Sequence, residues 1–279
     1  RDLHSFPTRR SSDLMGLKDI FILSAGTRKL LVITSSVAVL AVLFAVWHYR
    51  GVNRSEDPRV AQARQLMAEY DRVSGGPASY DLFYLLDSAA AIYESVPGYK
   101  DSWEKGVIFN NKCGGLLVMA IYDSLMNDSI RKSIIDLSLV WCDSSITTYL
   151  AWKEEWGSLS EDAVTLKLAA TMDVDDPSFE GYSFSRIFRK RVDDVMLAQV
   201  EIDRRLSVSY TNKATAYRHL MMQDSAYHYF NEALALWSHN RTAESNLSVL
   251  MGGEPVKPGI IESLFPPDRK KRQLKPGLP

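Results

Sequence analysis

The sequence has few of the features that mark a metal protein, a redox protein or a nucleic-acid-binding protein. Its only cysteines are Cys113 and Cys142, which excludes a disulfide framework and a CxxC metal or redox site. The 33 basic and 34 acidic side chains leave a formal charge of −1, so no overall positive field attracts nucleic acid. We therefore predict no nucleic-acid partner.

The two cysteines leave two alternatives open. Both can be buried free thiols, because an unpaired cysteine behaves as a small apolar core residue. They can also form one disulfide, provided that this part of the chain folds in an oxidising compartment.

Motifs of catalysis are also missing. The chain contains no HExxH, GxSxG, P-loop or GxGxxG run. His219, His228 and His239 are 9 and 11 positions apart, so they do not share one helical turn. Three acids within residues 173–176 lack the ligand register of a calcium loop, and we expect a solvated loop there. The sequence thus predicts no enzyme activity, no cofactor and no metal.

One segment is apolar enough to cross a membrane. Residues 30–49 contain no acid, Lys or Arg, and twenty helical residues span roughly 30 Å, the thickness of a bilayer core. Basic residues precede the segment, and Trp47, Tyr49 and Arg50 end it, as is typical of the two interfaces. Its bulky end favours retention over cleavage as a signal peptide. A fully buried globular helix is the alternative.

The residues before this segment form two parts. Residues 1–14 resemble one translated frame of a sequencing adapter, so we expect the protein itself to begin at Met15, with residues 15–29 as an N-terminal tail of a bacterial or environmental protein. Basic residues are nearly balanced on the two sides of the span. We expect a single-pass protein of the bacterial inner (cytoplasmic) membrane. Because long domains translocate largely regardless of charge, we expect its soluble domain to lie outside the cytoplasm.

The soluble part, residues 57–251, has helical periodicity throughout. Asp57-Pro58 and Ser160 have the composition of helix starts, and Asp128 or Ser129 can begin another helix. The Gly114-Gly115 pair predicts a bend. The basic residues at 186–191 are followed directly by acids, which indicates a mixed, solvated face. The Pro-rich, basic tail 252–279 is predicted to be disordered.

Residues 207–240 resemble a tetratricopeptide (TPR) repeat, a helix pair with a period of about 34 residues. Small residues let the two helices approach, and aromatic residues fill the wedge between neighbouring pairs. The matching positions are Tyr210, Ala214, Tyr217, Ala226, Phe230 and Ala233. Ser238 stands where the family usually has proline, and residues 80–125 match more weakly. The resemblance implies an all-α, TPR-like solenoid of helical hairpins, preceded by one transmembrane helix.

The resemblance also implies a binding role, because the concave face of such arrays usually holds a peptide or a partner helix. The residues expected on that face are Val208, Thr211, Asn212, Thr215, Arg218 and His219. The resulting hypothesis is a membrane-anchored scaffold or adaptor with a protein or peptide partner, in envelope assembly, secretion or chaperoning. Two alternatives stay open: a structural homo-oligomer and an enzyme with an unrecognised site.

Overall fold

A computed structural model describes residues 24–53, 55–74 and 80–256. All regular structure in these ranges is helical and no strand occurs in them, which confirms the predicted all-α class. The chain divides into two compact units, Arg1–Asn53 and Arg54–Pro279. The adapter-like residues 1–14 and most of the predicted disordered tail, residues 257–279, lie outside the described residues.

The first unit contains the apolar helix α1, Ala25–Asn53. Its stretch Gly26–Val46 has 21 residues and a mean hydropathy of 2.4, and none of it is buried within the unit. At 1.5 Å per residue this stretch measures about 32 Å. The prediction of one helix long and apolar enough to span a membrane is confirmed. The helix begins five residues before the predicted span, because the Ser24 side chain accepts a hydrogen bond from the Thr27 amide at 3.2 Å.

The second unit consists of helices joined mostly by short loops. In chain order they are α2 Pro58–Val73, α3 Phe83–Ser95, α4 Trp103–Tyr122, α5 Asp128–Trp156, α6 Glu161–Ala169, α7 Phe184–His219, α8 Gln223–Leu236 and α9 Arg241–Leu250. Helices α2 and α3, α4 and α5, and α7 and α8 pack as sequential pairs. The 36-residue α7 is the central element, since it contacts α4, α5, α6, α8 and α9.

Local capping explains where several helices begin. Asp57 is fully buried, and its carboxylate accepts from the Arg59 backbone at 3.0 Å, with Pro58 in the first turn as predicted. Ser160 caps α6, also as predicted, by accepting from the Ala163 amide at 3.3 Å. The prediction for α5 was one residue late: its cap is Asn127, whose Oδ1 accepts from the Ile130 amide at 2.9 Å.

The predicted bend at Gly114-Gly115 is wrong, because α4 runs unbroken through both glycines. Packing against neighbouring helices explains why glycine occupies two positions of α4. A Cβ added to Gly115 would lie 2.8 Å from the Tyr70 hydroxyl, and one added to Gly106 would lie 2.4 Å from the Tyr149 ring. These two glycines therefore let neighbouring aromatic side chains approach the α4 backbone.

The basic stretch at 186–191 is only partly the solvated face that the sequence predicted. Arg191 is buried, with 2% of its side chain exposed, and forms a 2.5 Å ion pair with the equally buried Glu104 of α4. Its Nε donates to the Gly98 carbonyl at 3.0 Å, and its guanidinium lies 3.8 Å from the centre of the Tyr99 ring. The partners that α4 and the loop before it supply offset the cost of removing the arginine charge from water.

The cysteines form a disulfide that joins α4 to α5. Both residues are fully buried, and their Cα atoms are 5.3 Å apart, which is within the usual range for a disulfide. Of the two alternatives left open by the sequence, the structure therefore has the bonded one.

The acidic loop at 173–183 is where the sequence placed it, but part of it is tied to α2. The Asp176 carboxylate accepts from the Ser178 amide at 2.8 Å and pairs with Arg59 at 2.6 Å. These two contacts lower the pKa of Asp176, the hydrogen bonds from Ser178 having the larger effect. In the described ranges, no group of three or more His, Cys, Asp or Glu is placed to hold a metal ion.

Candidate partner-binding site

The residues that carry the repeat resemblance pack around one small core between α7, α8 and α9. Four of them are fully buried, and Ala243 of α9 joins them: Ala214, Ala226, Phe230 and Ala233. The other two, Tyr210 and Tyr217, stack on Tyr229 of α8 with ring centres 5.9 and 5.5 Å apart. The small residues thus allow close helix contact, and the tyrosines surround a third ring that the sequence did not single out.

Buried polar side chains attach α9 to this helix pair. Asn240 Nδ2 donates to the hydroxyls of Ser207 at 2.8 Å and Thr211 at 2.9 Å, and Ser207 donates to the Ala233 carbonyl at 2.6 Å. The Asn240 Oδ1 caps α9 by accepting from the Ala243 amide at 3.1 Å. Thr211 is buried in this network, with 3% exposure. It therefore has to be removed from the predicted partner-binding surface.

Two of the other five predicted contact residues, Arg218 and Asn212, are held by different neighbouring helices. Arg218 points to α9, where its Nη1 donates to Asn246 Oδ1 at 3.0 Å, while the Thr215 hydroxyl donates within α7. Asn212 instead faces α4. Val208 is half-buried, and His219 is exposed at the end of α7. Asn212 and Arg218, at opposite edges of this helix face, are therefore held by different neighbouring helices.

Asn212 lines a recess of about 240 Å³ between α2, α3, α4 and α7. We call it the amide recess after Asn110, Asn111 and Asn212, which supply three carboxamides to its lining. Asp71 and Ser74 add further polar groups, and Leu82, Phe83, Val118 and Met119 form its apolar part. Of the residues that the sequence predicted to bind a partner, only Asn212 is in this lining.

Hydrogen bonds hold two of the amides in place. Asn110 Oδ1 accepts from Asn212 Nδ2 at 3.0 Å and from the Ser209 hydroxyl at 3.0 Å. Ser209 is fully buried and also contacts the hydroxyl of Ser145 at 2.9 Å. Asn110 Nδ2 and Asn212 Oδ1 have no hydrogen-bond partner among the described residues. The recess therefore offers a positioned donor and a positioned acceptor.

The charge of the recess is weakly negative. Among the described residues, Asp71 is the one carboxylate in the lining and no basic side chain lines it. Burial raises the pKa of Asp71. Burial also raises the pKa of Tyr70, with a smaller contribution from the Asp71 charge, and the Tyr70 hydroxyl donates to the Asn111 carbonyl at 3.2 Å. The lining suits a ligand that is neutral or positively charged and carries both donors and acceptors.

Sequence reasoning missed Asn110 and Asn111. A signal was present, because two consecutive asparagines inside an apolar helix are unfavourable for the helix itself. Such a pair is explained when its side chains have partners elsewhere, as Asn110 does on α7.

Comparisons with protein-family models, with curated proteins and with solved structures return no match. The TPR resemblance of residues 207–240 stays a prediction from the sequence. The function is therefore inferred from the arrangement of the residues themselves.

Proposed function

We propose that the protein is a single-pass, membrane-anchored helical scaffold of TPR type that binds a segment of a partner protein in its amide recess. The observation that carries this proposal is the pair Asn110 and Asn212, whose carboxamides are held by a 3.0 Å hydrogen bond and keep one donor and one acceptor free. A carboxamide has the same donor and acceptor as a peptide bond. The pair therefore complements the main chain of an extended segment.

The rest of the lining narrows the partner's chemistry. The Asp71 carboxylate favours a segment with a basic or neutral side chain over an acidic one. Phe83 and Met119 add apolar surface beside the amides. The packing of the six repeat-defining residues around Phe230 supports the TPR type, because the small residues are those at the contact between α7 and α8.

Each of the two units, taken separately, supports part of the proposed location. Helix α1 has the length and hydropathy of a membrane anchor. The Cys113–Cys142 disulfide supports an oxidising compartment for the second unit, since such bonds rarely persist in a reducing cytosol. We therefore place the second unit outside the cytoplasm, in a bacterial inner-membrane protein that serves envelope assembly, secretion or chaperoning.

The test is photo-crosslinking in native membranes, with a photoreactive amino acid at Val118 in the lining of the recess. We expect a defined crosslinked partner that is lost when Asn110→Ala and Asn212→Ala are combined. The matched control is Asn231→Ala, because Asn231 bonds only within α8, to the Tyr227 carbonyl at 2.8 Å. Equal crosslinking in the double variant and the control would contradict the proposed site, and the absence of any partner would contradict the proposed function.

A further inference from the structure

Gly114 lies in the middle of α4 and lines the amide recess, although no described neighbour requires a glycine there. Outside its own helix, a Cβ added to Gly114 would meet only Asn212 Nδ2 among the described residues, at the ordinary contact distance of 3.7 Å. Gly115 differs, because its added Cβ would lie 2.8 Å from the Tyr70 hydroxyl. Glycine weakens a helix interior relative to alanine, so neither packing nor helix propensity explains Gly114. A ligand that closely approaches the α4 backbone would explain it.

Asp71 gives the same recess a carboxylate that no cation balances. Its side chain has no ion pair and no hydrogen bond among the described residues. Arg72, Lys112 and Lys213 directly follow lining residues in the sequence, but each of them pairs with an acid outside the lining. Burial raises the pKa of Asp71, as expected for a carboxylate that is partly removed from water without a cation beside it. The recess therefore lacks the positive charge that its carboxylate would pair with.

The groups that share the recess with Asp71 also suit a cation. The rings of Tyr70 and Phe83 line the recess with their centres 6.5 Å apart, and aromatic rings attract cations that lie over their faces. Asn212 Oδ1 is a further acceptor, since the Nδ2 of the same amide already donates to Asn110. A guanidinium or an ammonium group carries several donors and no acceptor, so it matches this combination of carboxylate, ring and amide oxygen.

We propose that a basic side chain of the partner segment enters the amide recess over Gly114 and pairs with Asp71. This inference rests on the proposed function of the recess and adds the chemistry of the residue that the recess selects. The main chain of the segment meets the carboxamides of Asn110 and Asn212, while its lysine or arginine supplies the charge that the recess lacks. Gly114 thereby determines specificity, because a side chain at this position would fill space that the ligand needs.

The test measures the binding of blocked pentapeptides to the purified full chain in non-ionic detergent, with dissociation constants from ligand-observed NMR. The probes carry arginine, neutral citrulline or glutamate at the centre, flanked by glycine and serine. We expect the arginine probe to bind at least about tenfold more tightly than the other two, because a hydrogen bond to a charged group is worth about that factor. Asp71→Asn should remove this preference. The matched control is Asp136→Asn, because Asp136 is exposed on α5 and lies outside the recess.

A second variant tests the role of Gly114. Gly114→Ala should raise the dissociation constant of the arginine probe by at least about fivefold, because its methyl group occupies part of the recess. The same variant should unfold at a higher urea concentration than the parent, since alanine favours the helix. A purely structural role for Gly114 does not predict weaker binding by a more stable protein. Unchanged binding in Gly114→Ala would overturn its assignment as a specificity-determining residue.

Other outcomes also decide the inference. Equal binding of the arginine and citrulline probes, or no binding of any probe, would overturn it. A chain that ends at Val256 should bind the arginine probe as the full chain does. A gain of about tenfold on this truncation would identify the chain's own basic residues 269–272 as the occupant and overturn a partner as the source. Asp71→Asn keeps all the carboxamides of the recess. A crosslinked partner that depends on Asn110 and Asn212 but not on Asp71 would therefore sustain the proposed function and refute this inference.

Discussion

Breaking the disulfide between Cys113 and Cys142 should cost the second unit a large part of its stability. The bond closes a loop of 29 residues. The chain-entropy relation for a loop of that length gives about 3.6 kcal/mol at 25 °C, which lies within the usual range for disulfides. Both cysteines are fully buried between α4 and α5, so replacing them with alanine adds the cost of a small cavity to this value.

The assay is equilibrium unfolding of the full chain in urea, followed by tryptophan fluorescence. With a denaturant dependence of about 2 kcal/mol per molar urea, a loss of about 3.6 kcal/mol moves the midpoint down by about 1.8 M. A reducing agent should produce this shift in the parent. In the Cys113→Ala, Cys142→Ala double variant the midpoint should already be low, and the reducing agent should change nothing further.

Two results would refute the reasoning. An unchanged midpoint on reduction of the parent would show that the bond does not constrain the unfolded chain as calculated. Labelling of native membranes with a maleimide under denaturing conditions, without reductant, addresses the compartment. Free Cys113 and Cys142 in that experiment would contradict an oxidising location for the second unit.

Three further predictions concern packing, buried charge and pH. Gly114→Ala should stabilise α4 by about 0.5–1 kcal/mol in urea unfolding, because the added Cβ meets only an amide nitrogen at 3.7 Å. Gly106→Ala should instead lower the free energy of unfolding by about 1–3 kcal/mol, because its Cβ would overlap an aromatic ring at 2.4 Å. Equal changes in stability for the two glycine variants would argue against the described packing. Arg191→Met should leave Glu104 as an unpaired buried charge and cost about 3–5 kcal/mol, so a loss below 1 kcal/mol would contradict the burial of this pair. Although part of the His219 ring is exposed, partial desolvation and the nearby Arg218 and Arg131 lower its pKa, so unfolding binds a proton as pH falls below about 6.5. The parent should therefore lose stability between pH 7.5 and 5.5, and His219→Gln should lose less over the same interval.

The helical fold was largely predictable because its signals are local. The Asp57-Pro58 start and the Ser160 cap act on amides within three residues, and both were confirmed. The apolar run in α1 is likewise a property of consecutive residues. The bend at Gly114-Gly115 failed because the role of Gly115 depends on Tyr70, a residue of another helix.

The candidate site was predictable only at Asn212. Its partner Asn110 lies 102 positions away, and no local pattern joins the two. Thr211, next to it in the sequence, was assigned to the same surface but is buried against Asn240. The difference of about 100° between adjacent helix positions separates these two side chains, and only the positions of α4 and α9 decide what each one meets.

The helical class, the apolar span and the start of several helices could be read from consecutive residues, because hydrophobic periodicity and caps act over one or two turns. Tertiary structure decided the features that join distant parts of the chain. Arg191 is buried only because Glu104, 87 positions earlier, lies beside it, and Cys113 is bonded only because α5 brings Cys142 within reach. A side chain's own chemistry sets what it needs when buried, but the neighbouring helices decide whether that need is met.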